Sequence, residues 1–169
     1  MKKILAISGS TRKNSVNKAI LESITSVYAE QYDIEIYEQI SSFPHFNPDI
    51  TENLPAVISD FIQRIEQADA VIICSPEYVF SIPGTLKNAL EWTVATVVFT
   101  DKPVGIIVAA AGGEKAFESL ELVLTTLGAK IPEQGKLLIS GASGKYDKIT
   151  NKFDENTLQK ILQVVVAIA

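Results

Sequence analysis

Four short apolar runs set the terms on which this chain can fold: KILAIS (3–8), AVIIC (70–74), PVGIIVAA (103–110) and KLLIS (136–140). Continuous apolar runs of this length mark strands covered on both faces, as in parallel sheets. A fifth run, DIEIYE (33–38), alternates apolar and charged residues and reads as a half-buried edge strand. Between these runs the apolar residues recur at helical spacing. Ala19, Ile20, Ile24, Val27 and Tyr28 form one stripe, and Val57, Ile58, Phe61, Ile62 and Ile65 form the next. Phe117, Leu120, Val123, Leu124 and Leu127 form a third, and Leu158, Ile161, Leu162 and Val165 a fourth. Pro55 and Pro83-Gly84 suit first turns, Gly128 a helix end and Asp154 an N-cap.

Strand and helix therefore alternate five times. That predicts an α/β fold: a parallel five-stranded sheet in three layers, with helices on both faces. Right-handed crossovers restrict the strand order, and 2-1-3-4-5 is expected, with residues 1–169 as a single domain. In that order the winding reverses between strands 1 and 3, and ligands bind outside the carboxyl ends of those strands. The unusual loops lie at such ends: GSTRKNS (9–15), SPEYVFS (75–81) and AAGG (110–113).

GSTRKNSVN (9–17) combines a glycine that permits a tight strand exit with Ser10, Thr11, Ser15 and Asn17, all polar, at a helix start. Unpaired N–H groups and the helix dipole favour an anion there. Arg12 can grip a phosphate with two hydrogen bonds. These features make a cradle for a monophosphate. They equally make an N-cap loop in which Ser15 caps the helix and Arg12 is solvated. The segment is neither the six-position glycine fingerprint of dinucleotide folds nor a Walker loop, which disfavours a nucleoside triphosphate. Net charge is −5 without a basic cluster, which weighs against nucleic acid. A small anion would need positive charge supplied locally.

SPEYVFSIPGTLKNALEW (75–92) is stiffened by Pro76 and Pro83. A rigid loop presents backbone N–H and C=O groups at fixed positions, as a flat heteroaromatic ring with a polar edge requires. Tyr78 and Phe80 can supply apolar walls, and Gly112-Gly113 permits close backbone approach. Prolines that merely end a strand and open a helix account for the segment as well.

Together these two segments resemble the NAD(P)H-dependent FMN reductase family of flavodoxin-like proteins, which includes quinone, azo-dye and chromate reductases. The first family motif is matched by Gly9, Ser10, Arg12, Ser15 and Asn17. The second is matched by Pro76, Glu77, Tyr78, Ser81, Pro83, Gly84, Leu86, Lys87, Asn88, Ala89 and Trp92. The resemblance implies that Ser10, Arg12, Ser15 and Asn17 hold the FMN phosphate. It implies that Pro76, Glu77, Tyr78 and Val79 line the flavin ring, with Gly112 and Gly113 contributing backbone. It also implies NADPH or NADH as hydride donor, a quinone, azo compound or similar acceptor, and a homodimer or homotetramer. The flavin then carries the chemistry, and no catalytic side chain is expected. A flavin-binding electron carrier without pyridine nucleotide reactivity is the alternative. Its phosphate loop would more typically be threonine-rich and lack the arginine.

Three departures stand out. Val79 replaces the family's asparagine, Glu91 its aspartate, and AAAGG lacks the usual polar residue and extra glycine. Val79→Asn is accordingly expected to alter flavin potential or acceptor preference more than stability.

Other residues have plainer readings. His45 is the sole histidine, without a cysteine partner nearby, and reads as surface loop rather than metal ligand. Cys74 ends a buried strand and reads as a core thiol. Trp92 and TVATVVF (93–99) belong either to the core or to a dimer surface. A phosphorelay receiver would need acidic residues after strand 1 and an aspartate at the end of strand 3. A small phosphatase of similar fold would need cysteine in its phosphate loop. The start MKKILAISGS has too short an apolar run for a secretory core of ~7–15 residues. Without a membrane span, a cytoplasmic protein is expected.

Overall fold

A computed structural model describes residues 1–169. Five parallel strands form one sheet: β1 (Lys2–Ser8), β2 (Tyr32–Tyr37), β3 (Ala70–Ser75), β4 (Val104–Ala110) and β5 (Lys136–Ser140). Their order is β2-β1-β3-β4-β5, as the alternation predicts. The intervening helices are α1 (Val16–Tyr28), α2 (Ala56–Gln67), α3 (Gly84–Glu91), α4 (Glu114–Thr126) and α5 (Glu155–Ile168).

The central strands divide their side chains between two cores. Leu5 and Ile7 of β1, Val71 and Ile73 of β3, and Ile106 and Val108 of β4 face one side. There they meet Phe61 of α2, Leu86 of α3 and Leu120 of α4. Ile4, Ile72 and Ile107 face the other side, against Ile20 and Ile24 of α1 and Ile161 and Val165 of α5. Each fully buried side chain of this size contributes about 1.5–3 kcal/mol relative to exposure. Burial on both faces is why these strands read as continuous apolar runs. On β4, Gly105 permits the approach of α5: a Cβ there would lie 2.7 Å from Val164 Cγ1.

The register aligns Ser8 of β1 with Cys74 of β3, and Cys74 with Ile107 of β4. The carboxyl ends of β1, β3, β4 and β5 consequently open onto one edge of the sheet. Asp154 caps α5 by accepting the Thr157 N–H at 2.9 Å. The long loop between β2 and α2 contains two 3-10 turns, at Gln39–Ser42 and Pro48–Ile50. Residues of the second sequence motif hold it in place. Asn88 Oδ1 accepts the Phe46 N–H at 2.8 Å, while Asn88 Nδ2 and Trp92 Nε1 both donate to the Pro44 carbonyl at 2.9 Å. Trp92 is thus core.

After β5 the chain makes an element that periodicity does not reveal, an antiparallel hairpin of β6 (Tyr146–Asp147) and β7 (Lys152–Phe153). No helix is long and apolar enough to cross a membrane.

Candidate functional site

At the carboxyl edge lies a cavity of about 240 Å³. It gathers residues from four strand ends: Ser10, Arg12, Ser15 and Asn17 after β1, Pro76, Glu77 and Tyr78 after β3, Ala109–Ala111 at β4, and Ser143 and Lys148 after β5. A second cleft of similar size near the amino ends of β1 and β2 is lined by Asp33, Glu35, Asp60 and Arg64. Its cation is already matched: Arg64 pairs with Asp60 at 2.9 Å and with Glu35.

The phosphate-loop readings prove compatible. Ser15 is the N-cap of α1, its hydroxyl oxygen accepting the Lys18 N–H at 3.1 Å. The hydroxyl proton stays available to an anion. Ser10 accepts the Arg12 N–H at 3.4 Å and has the same freedom. The first two amides of α1, Val16 and Asn17, have no acceptor inside the protein. The Arg12 side chain is exposed and forms no ion pair. Gly9 permits the tight exit from β1, since a Cβ there would meet Leu86 Cδ2 at 2.9 Å and Ser75 Oγ at 3.0 Å.

Asn17 differs from the expectation of a simple phosphate ligand. Its side chain is only 4% exposed. Nδ2 donates to the Ala109 carbonyl at 3.3 Å, and Oδ1 accepts the Cys74 thiol at 3.2 Å. The residue ties the start of α1 to the ends of β3 and β4 beneath the cavity. Complete burial pushes the Cys74 thiol far above its ordinary range, so it is no nucleophile.

Glu77, in the cavity wall, turns its carboxylate to the start of α4. Oε2 accepts the backbone N–H of Lys115 and of Ala116, both at 3.0 Å. The N-cap of α4 is Gly113, which has no side chain to perform that task. Gly113 adopts φ +114°, and a Cβ would meet Leu138 Cδ1 at 2.8 Å, so the position demands glycine. A carboxylate from the neighbouring loop therefore caps the helix in its place.

Val79 and Phe80 occupy left-handed conformations, with φ +51° and +56°. They form the tip of a two-residue turn closed by Tyr78 N–H to Ser81 C=O at 2.9 Å and Ser81 N–H to Tyr78 C=O at 3.1 Å. Such turns favour Asn-Gly, and a β-branched residue there is strained. Val79 is 96% exposed, Phe80 78% and Tyr78 45%. Neither Val79 nor Gly112 nor Gly113 lines the cavity wall; they flank it in the loops that do. Asparagine at position 79 would relieve backbone strain, so the departure bears on stability as well as on the ring's surroundings.

Sequence reasoning missed Asn14, Val16, Ala142, Ser143 and Lys148, which also line the cavity. The available signal was GASGK (141–145), a glycine-rich turn at the end of the fifth strand, on the same sheet edge as the other loops.

A doubly wound 2-1-3-4-5 sheet, with unpaired amides, hydroxyls and an arginine at the start of its first helix, is a flavodoxin-like architecture. The model of the family described as NADPH-dependent FMN reductase matches residues 2–144, and the chain belongs to that family. It is 31% identical over 172 residues to an NAD(P)H-dependent FMN reductase of Pseudomonas aeruginosa, covering 98% of this chain and 92% of the relative. It is 31% identical over 176 residues to an NADPH:quinone oxidoreductase of Arabidopsis thaliana, covering 98% and 89%. Among solved structures it is similar to FerB, a flavoenzyme NAD(P)H:(acceptor) oxidoreductase of Paracoccus denitrificans. There the TM-score is 0.83 and the identity 25%, over 98% of this chain and 93% of the other. The chain is an oxidoreductase with FMN as cofactor and NAD(P)H as electron donor.

Proposed function

We propose that residues 1–169 form one FMN-binding domain that reduces a quinone-type acceptor at the expense of NADPH or NADH. The observation that carries this reading is the unfilled donor set at α1: Arg12, the Ser10 and Ser15 hydroxyls and the Val16 and Asn17 amides converge on one cavity. That set fits a phosphate monoester, which accepts several hydrogen bonds and carries about −1.5 to −2 charge. Bound there, FMN supplies hydride transfer from a nicotinamide and on to the acceptor.

The protein's own residues bind and orient. Arg12, Ser10, Ser15 and the α1 amides hold the phosphate. Asn17 fixes the helix start that presents those amides. Glu77 locks the loop after β3 to the loop after β4, so that the backbone groups flanking a ring keep a fixed separation. Tyr78, Val79 and Phe80 give an exposed apolar rim that suits a flat acceptor ring. In net terms a quinone, NAD(P)H and one proton give a hydroquinone and NAD(P)⁺. Two electrons and one proton leave the nicotinamide as hydride, and solvent supplies the second proton.

Val94, exposed beyond α3, lies with Leu122 of α4 on an apolar surface that fits a homodimer or homotetramer. Partners other than small acceptors and further copies are not expected, and the cytoplasm is the proposed compartment. The test is NAD(P)H oxidation by the FMN-loaded protein with a 1,4-benzoquinone. Acceptor-dependent oxidation is expected; none with either nucleotide would overturn the proposed activity.

A further inference from the structure

We propose that Lys148, on the hairpin after β5, is a second cation for the FMN phosphate. This inference rests on the reading of the cavity as the FMN site. It is carried by placement, by charge and by the construction of the hairpin tip.

Lys148 lines the same cavity as Arg12, Asn14, Ser15 and Val16, although more than 130 residues of chain separate it from them. The segment that carries it is fixed on both sides. Tyr146 and Phe153 pack ring against ring with centroids 4.8 Å apart, and Phe153 is buried in the core shared with α1 and α5. The Tyr146 hydroxyl donates to Asn151 Oδ1 at 3.0 Å. Asp147 Oδ1 accepts the Ile149 N–H at 2.8 Å, and Oδ2 accepts the Thr150 hydroxyl at 2.8 Å. Asn151 turns the chain at φ +54°. The tip is thus a hydrogen-bonded turn that fixes the backbone carrying Lys148.

The charges point the same way. The chain carries a net −5, yet this cavity's charged lining is Arg12, Lys148 and Glu77. Glu77 is turned to the amides of α4. Neither Arg12 nor Lys148 belongs to an ion pair, so neither charge is already matched by a carboxylate. Two unmatched cations facing one cavity repel each other until an anion enters. A phosphate monoester of about −1.5 to −2 charge is balanced by two cations and not by one. Lys148 then gives preference for FMN over riboflavin, which has the same ring and no phosphate.

The test compares dissociation constants of FMN and of riboflavin, by fluorescence quenching, for the parent, Lys148→Ala and Lys148→Arg. Lys148→Ala is expected to weaken FMN about 5- to 10-fold at low salt and leave riboflavin unchanged. That difference should shrink as ionic strength rises, and Lys148→Arg should restore parental affinity. Equal FMN affinity in parent and Lys148→Ala would overturn the assignment. So would an equal loss for riboflavin, which signals a structural role, or unchanged FMN affinity with a raised KM for NADPH, which would give the cation to the nucleotide. A parent that binds no FMN at all would instead overturn the reading of the cavity itself, and this proposal with it.

Discussion

Glu77 Oε2 accepts the backbone N–H of Ala116 at 3.0 Å, across 39 residues of sequence. The same oxygen takes the Lys115 N–H, also at 3.0 Å. One carboxylate therefore joins the two loops on either side of the proposed ring site and caps a helix whose own N-cap is glycine. A residue of the second sequence motif thus serves the architecture around the cavity. Removing it leaves two helix amides without an acceptor and takes a negative charge from the positive end of α4. Glu77→Ala is expected to lower unfolding free energy by about 1–2 kcal/mol and Glu77→Gln by less. Denaturant unfolding of the protein without flavin checks this. Equal stability for parent and Glu77→Ala would show that the cap is dispensable.

Arg12 is the one arginine of the loop after β1, and its side chain forms no ion pair in the protein. Losing charge-assisted hydrogen bonds costs about 1.5–3 kcal/mol, which corresponds to roughly 10–150-fold in affinity. Calorimetric titration of Arg12→Ala with FMN should show that loss. Identical constants for variant and parent would remove Arg12 from the site.

Val79 sits at φ +51° with its side chain in solvent. An L-residue in that region is strained by about 1–2 kcal/mol, and asparagine tolerates it better. Val79→Asn should therefore raise stability by about 1 kcal/mol and make the rim less apolar, raising KM for apolar quinones. Thermal unfolding and steady-state kinetics read the two effects separately. A destabilised variant would contradict the strain argument.

Cys74 carries a pH dependence whose sign is fixed by its burial. The folded thiol is pushed up, while an unfolded thiol ionises near ~8.5. Above that pH the folded state holds one more proton than the unfolded state. The thiol's contribution to stability is complete below the unfolded value and is lost as pH rises, by up to about 1.4 kcal/mol per pH unit. Stability measured between pH 8 and 10 should fall more steeply for the parent than for Cys74→Ala. Parallel slopes would show that the thiol is not protected.

The legible parts of this protein were those written in local pattern. β1, β3 and β4 are buried on both faces, so Ile4–Ile7, Val71–Cys74 and Ile106–Ala109 announce themselves as unbroken apolar runs. The Ser15 cap and the Asp154 cap are short-range features with composition signals. Roles set by distant partners were hidden. That Glu77 caps α4 shows only once α4 is folded against it, and that Asn17 ties α1 to β3 and β4 shows only once Cys74 and Ala109 come within reach. Lys148 is one of many surface lysines in the sequence. It joins the cavity lining only because Tyr146 and Phe153 pack the hairpin beside α1, and two-residue strands have too little length to show a period. The left-handed turn at Val79-Phe80 was masked because its residues are the wrong ones for it.

The most direct test of the account is an anaerobic absorbance titration of the FMN-loaded protein with NADPH and, separately, NADH. Bleaching of the flavin band by at least one of them, at one nucleotide per flavin, is predicted. A band left unchanged by both would make the protein a flavin carrier and contradict its reading as a pyridine nucleotide-dependent reductase.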